Sequence, residues 1–100
     1  MHYLLIYDLA SDYLARRPEF RAEHLALAWK SVERGEMLLG GAVGDPVETA
    51  LLVFSCDSAE VPAAFARADP YVRNGLVARW KVQPWNTVIG AGAANPVHPA

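Results

Sequence analysis

A chain of 100 residues, 53% hydrophobic and only 20% charged, fits one domain with more apolar side chain than a small monomer easily hides. Nine Lys and Arg against eleven Asp and Glu leave a net charge of −2, and no basic stripe of the kind that binds nucleic acid. The single cysteine, Cys56, excludes an internal disulfide and a cysteine-based metal site and suits a reduced, cytoplasmic setting. No run approaches the roughly 18 apolar residues of a membrane span, and Asp8 and Asp12 interrupt the N-terminal apolar run too early for a signal peptide.

His2 to Leu9 reads as a strand with two apolar faces. Tyr3, Leu5, Tyr7 and Leu9 point one way, Leu4 and Ile6 the other, so cover is expected on both sides. Ser11 to Arg16 reads as a polar connection. The spacing then predicts a helix from Pro18, suited to a first turn, to Arg34, with Gly35 closing it. Leu25, Ala28, Trp29 and Val32 recur as one buried stripe, with Phe20 and Leu27 as a second. His24 falls between the two stripes, in line with Arg17 and Ser31.

Met37 to Val43 and Ala50 to Cys56 form the next strands, joined by a hairpin loop over Gly44–Thr49, and Gly40-Gly41 suggests a bulge. A second helix is expected from about Asp57, with Glu60 placed for a capping box and Val61, Ala64, Phe65 and Ala68 facing inward. Asp69-Pro70 ends it, because a residue before proline is pushed out of the helical region. Asn74-Gly75 turns into a last strand whose Leu76, Ala78, Trp80 and Val82 alternate with Val77, Arg79, Lys81 and Gln83. Pro84–Gly90 continues as an extended piece. Residues 1–90 then make one domain, and 91–100 a loosely held tail.

The order is that of an α+β, ferredoxin-like βαββαβ domain, with a four-stranded antiparallel sheet and two helices on one face. The double-sided first strand calls for cover on the other face, most simply by a second copy of the chain.

Several of these segments resemble the YciI-like, or YCII-related, family. Arg21-Ala22-Glu23-His24-Leu25-Ala26-Leu27 is similar to its R-x-x-H-L-x-x-L signature without the final leucine. Gly35-Glu36 with Leu39-Gly40-Gly41, Ala68-Asp69-Pro70-Tyr71 with Gly75-Leu76, and Lys81 to Asn86 follow in order over roughly residues 1–90. Ala42 departs from the pattern where proline is frequent. The resemblance implies a dimeric ferredoxin-like fold of the dimeric α+β barrel type, related to muconolactone isomerases. It also implies a cleft holding His24 and Asp69. Most such proteins have no assigned activity, and a few are dehydrochlorinases of ring substrates.

The residues themselves suggest proton-transfer chemistry. His24 could be a general acid or base, or a hydrogen-bonded core residue. A carboxylate at a helix C-terminus meets the negative end of the dipole, so Asp69 would gain from a cationic neighbour such as His24 or Arg21. His24 and Asp69 are the candidate catalytic pair. Arg21 could hold an anion or be a solvated charge, Tyr71 could donate to a ligand or pack, and Asp8 stands at a strand end where site residues are common. Cys56 has no basic setting to activate it. Phosphate loops, H-E-x-x-H pairs and nucleophile elbows are absent from the sequence. No cofactor or metal is expected. Three functions fit unequally: a cofactor-free lyase or isomerase for a small cyclic or anionic substrate, a non-catalytic homodimeric module binding a small ligand, and an RNA-binding domain. The last lacks exposed sheet aromatics and a basic run.

Overall fold

A computed structural model describes residues 1–100. In chain order the elements are β1 (His2–Leu9), α1 (Tyr13–Glu33), β2 (Met37–Gly44), β3 (Val47–Ser55), α2 (Glu60–Ala68), α3 (Pro70–Arg73) and β4 (Val77–Trp85). The four strands form one sheet in the order β2-β3-β1-β4, and every neighbouring pair is antiparallel. This is the expected ferredoxin-like plan, with β1 central and a short extra helix, α3, before β4. No helix is long and apolar enough to cross a membrane.

The alternation of β1 decides which sheet face the helices cover. Tyr3, Leu5 and Tyr7 are buried on one side with Leu52 and Phe54 of β3, where Phe65 of α2 meets Phe54 edge-on with ring centroids 5.7 Å apart. Leu4 and Ile6 on the other side are half-buried within the single chain.

The first helix begins five residues earlier than its proline suggested. Tyr13 packs into the core at the first helical position, and Pro18 lies inside the helix rather than in its first turn. Proline there has no N–H for the Leu14 carbonyl, so tertiary packing of Tyr13 has overridden a local stop signal. The inward face also differs from the expected stripe. Ala28 and Val32 of that stripe pack against the core, but Leu25 and Trp29 are exposed, 38% and 62%, and the second row, Phe20 and Leu27, faces the interior with His24 and Ser31. A similar rotation affects α2. Its buried residues are Pro62, Phe65 and Ala66, running on to Asp69, while Ala64 and Ala68 are exposed. The expected capping box is not formed; the Glu60 N–H donates instead to the Ser58 hydroxyl, 3.1 Å away.

The hairpin between β2 and β3 is tighter than expected, with only Asp45-Pro46 between the strands. Gly44 takes φ +103° there, and a Cβ on it would sit 2.8 Å from the Pro46 carbonyl oxygen. The register irregularities of this pair lie at Met37/Leu39 and Val43/Gly44, on either side of Gly40-Gly41 rather than at it. Pro84 and Trp85 belong to β4, and Val77 is buried instead of facing water, next to the register shift at Asp8/Leu9.

Part of the C-terminal segment folds back along the residues that follow β4. Asn95 and Val97 donate backbone hydrogen bonds to Thr87 and Val88, and the Ala94 N–H donates to the Thr87 hydroxyl. Thr87 Oγ1 is in turn 2.6 Å from His2 Nδ1. Because that oxygen already accepts from Ala94, its own hydrogen is free to go to the imidazole. The segment after β4 is thereby tied to the start of β1.

Candidate active site

Asp69 occupies the junction of two helices. It is the residue after α2, with extended backbone (φ −67°, ψ 122°), and also the N-cap of α3. Its Oδ1 accepts from the Tyr71 N–H at 3.0 Å, with Pro70 at the first helical position. Asp69 is therefore better placed than a carboxylate at a helix C-terminus alone would be. The carboxylate meets not only the negative end of α2 but also the Tyr71 N–H in the opening turn of α3.

Two further donors converge on it. Tyr7, from β1, donates its hydroxyl to Asp69 Oδ2 at 2.7 Å, and His24, from α1, places Nδ1 2.9 Å from Oδ1. The Asp69 side chain is fully buried and that of His24 is 15% exposed. A buried carboxylate without partners would be costly, and here three donors satisfy it. As the carboxylate can only accept, the shared hydrogen is on His24 Nδ1. In the neutral imidazole this leaves the lone pair of Nε2 as the ring's free acceptor.

Tyr71 lies flat against His24, with ring planes 9° apart and centroids 3.9 Å apart. It also packs nearly perpendicular to the Tyr13 ring, centroids 5.6 Å apart, and the guanidinium of Arg17 stands over the Tyr13 ring at 5.7 Å. The Tyr71 hydroxyl is buried without a hydrogen-bond partner. Burial pushes this phenol up, Tyr13 adds to the effect, and the nearby guanidiniums of Arg21 and Arg17 partly oppose it. Tyr7 is pushed far above the ordinary phenol range, first by burial, then by the Asp69 charge and by the hydrogen bond itself. Both phenols are therefore donors at neutral pH.

These residues border a cleft of about 360 Å³ between α1 and β2. His24, Tyr71, Arg17 and Arg21 line one part of it, and apolar side chains including Trp29, Val32 and Leu39 line the rest. No acidic side chain reaches the cleft, and neither arginine is paired with a carboxylate. It is thus an apolar slot with a proton acceptor, a phenol and two free cations near one another.

The fold brings together four of the five candidate residues: His24, Asp69, Arg21 and Tyr71. Asp8 is not among them. It follows Tyr7 on β1 and so points to the other sheet face, where it is exposed and lies 3.4 Å from Arg79. Two residues of the cleft were missed. Tyr7 read as core, although a buried phenol needs a hydrogen-bond partner, and Arg17 lies in line with His24 two turns earlier. Cys56 stands apart, half-buried, donating its thiol to the Ser58 carbonyl; burial pushes the thiol up, which disfavours the thiolate. No group of three or more His, Cys, Asp and Glu side chains is placed to hold a metal ion.

The model of the YCII-related domain matches residues 1–86. The chain belongs to that family. Among solved structures, this YCII-related chain is similar to 5-chloro-2-hydroxyhydroquinone dehydrochlorinase from Burkholderia phenoliruptrix AC1100, in complex with 2,5-dihydroxybenzoquinone. The two share 22% identity and a TM-score of 0.72 over 87% of this chain and 95% of the other. A dimeric ferredoxin-like protein from an uncultured marine organism is more distant, at 16% identity and a TM-score of 0.37 over 82% and 87% of the two chains. No curated protein matches the chain.

Proposed function

We propose that this YCII-related protein is a cofactor-independent lyase or isomerase that moves a proton on a small, planar, anionic ring compound. The observation that carries this reading is the orientation of His24 by Asp69, which leaves Nε2 as the acceptor beside a cleft with two unpaired arginines. His24 is the general base and Asp69 its orienter. Arg21 and Arg17 hold the substrate's ionised oxygen, and the Tyr71 hydroxyl donates to charge that develops during the reaction. The apolar wall accepts the ring itself.

In the lyase form, Nε2 takes a proton from the substrate. The electron pair left behind becomes a double bond, and a leaving group on the neighbouring carbon departs with its bonding pair. In the isomerase form the same proton returns to a different carbon. The dehydrochlorinase with a similar fold acts on a chlorinated hydroxyhydroquinone, so chlorinated and unchlorinated hydroxylated rings are the first compounds to try. We infer a homodimer, since Leu4, Ile6, Leu51 and Val53 form a half-buried apolar face on the sheet opposite the helices, and a cytoplasmic setting in keeping with the free thiol of Cys56.

The test is chloride release and ultraviolet turnover with a panel of such rings. The unsubstituted chain should turn over at least one, and His24→Gln should reduce kcat by about 10²–10⁴-fold. Undiminished turnover by His24→Gln would refute the assignment. Saturable binding with no turnover across the panel would instead favour the second reading, a homodimeric ligand-binding module, which the same unpaired arginines also support.

A further inference from the structure

Tyr7 lies beneath the cleft, joined not to His24 but to the residue that holds it. Its hydroxyl meets Asp69 Oδ2 at 2.7 Å, whereas His24 Nδ1 and the Tyr71 N–H both meet Oδ1. The two carboxylate oxygens thus have separate duties, one toward the imidazole and one toward the phenol. Tyr7 is 1% exposed and Asp69 fully buried, so no water replaces either partner. If Tyr7 only filled space, a phenyl ring would suffice.

We propose that Tyr7 is a positioning residue that sets the proton affinity of His24 through Asp69. The hydroxyl fixes the carboxylate's rotation, keeping Oδ1 toward the imidazole, and it draws part of the negative charge onto Oδ2. A carboxylate shared in this way stabilises the imidazolium less than an unshared one would. Burial and the neighbouring charge keep the phenol protonated, so this damping is constant across the pH range in which imidazole titrates. Other groups facing His24 are Tyr71 from α3 and Arg21 and Arg17 from its own helix. The arginines are permanently charged over that range, and Tyr71 stays neutral. Asp69 and its partner Tyr7 are therefore what can be changed to alter the balance.

This inference rests on the proton-transfer reading only for its importance to catalysis, because the experiment needs no substrate. The imidazole proton signals of His2, His24 and His98 would be followed by NMR from pH 4 to 10 and assigned with His24→Gln. In Tyr7→Phe, the His24 signal should titrate at higher pH than in the unsubstituted chain, while His98 stays in place. In the Asp69→Asn background, adding Tyr7→Phe should move it no further. An unmoved or downward-moved His24 titration in folded Tyr7→Phe would overturn the proposal. If Tyr7→Phe does not fold, the downfield hydroxyl proton of Tyr7 in the unsubstituted chain decides. It should shift as His24 titrates, and a hydroxyl resonance indifferent to that titration would equally overturn the coupling. A displaced titration with no turnover of any ring compound would refute the lyase reading alone.

Discussion

Tyr71 is bound to the catalytic candidates twice, through its ring and through its backbone. Its ring stacks on His24 at 3.9 Å while its N–H donates to the Asp69 oxygen that accepts from His24. The imidazole is consequently held in its plane by stacking and in its rotation by hydrogen bonding. A side chain fixed in both senses loses little entropy when a ligand arrives.

Substitutions at Asp69 should separate charge from shape. Asp69→Ala removes the acceptor for three donors and should lower stability by about 3 kcal/mol or more, measured by urea denaturation. Asp69→Asn keeps the volume and one acceptor oxygen, so it should cost less, about 1–2 kcal/mol. It should nevertheless lose activity nearly as fully as His24→Gln, since the neutral amide no longer fixes the imidazole's tautomer. Equal stability of the two variants would show that the hydrogen bonds contribute little.

Alkaline pH should destabilise the fold through Tyr7. Its folded-state value is raised above the ordinary phenol value of 10.0, so above that pH the unfolded chain releases a proton that the folded chain keeps. Unfolding is then favoured as pH rises. The stabilising contribution is complete below about pH 10 and is lost at up to about 1.4 kcal/mol per pH unit beyond it. Tyr71 acts in the same direction. Tyr7→Phe should show a shallower decline between pH 10 and 12 in Tm against pH. A parallel decline would mean that other groups control alkaline unfolding.

Light scattering at micromolar concentration should report about twice the chain mass of 10.9 kDa. Ile6→Glu, on the half-buried side of β1, should halve it, because a charge cannot be buried there without a partner. A monomer in the unsubstituted chain would remove the argument from the double-sided strand.

Gly44→Ala should cost about 1–3 kcal/mol. The new methyl would meet the Pro46 carbonyl oxygen at 2.8 Å, at a φ of +103° that alanine rarely adopts. Gly41→Ala in the same strand is a control, because nothing lies within 4 Å of the added carbon. Similar losses in both would point to general weakening of the strand rather than to the turn.

The fold was legible because strand alternation and helix period are local signals, and their order along the chain gave the βαββαβ plan. His24 and Asp69 were legible because each looked uncomfortable alone, one between apolar rows and one at a helix end. Tyr7 was not, since alternation cannot distinguish a tyrosine that fills space from one whose hydroxyl reaches a residue 62 positions away. Asp8 misled for the complementary reason: being at a strand end says nothing about which face is used. The rotations of α1 and α2 escaped because apolar rows indicate a covered surface without saying which row meets the sheet. Trp29 and Leu25 border the cleft, so they are apolar without being buried.

The tie between His2 and Thr87 also bears on how the molecule would meet mechanical force. The start of β1 and the end of β4 lie together at the same end of the sheet, where His2 pairs with Trp85 in an antiparallel ladder. Tension applied through the two chain ends would pull these strands apart like a zipper, loading one rung at a time, because ladder hydrogen bonds lie across the strands. The Thr87 contact and the folded-back residues to Val97 stand ahead of the first rung. Tyr7, opposite Trp80, is among the last rungs to open. A chain stretched from its ends would therefore yield first where the C-terminal segment clasps His2, with the ladder still closed around the hydroxyl that holds Asp69.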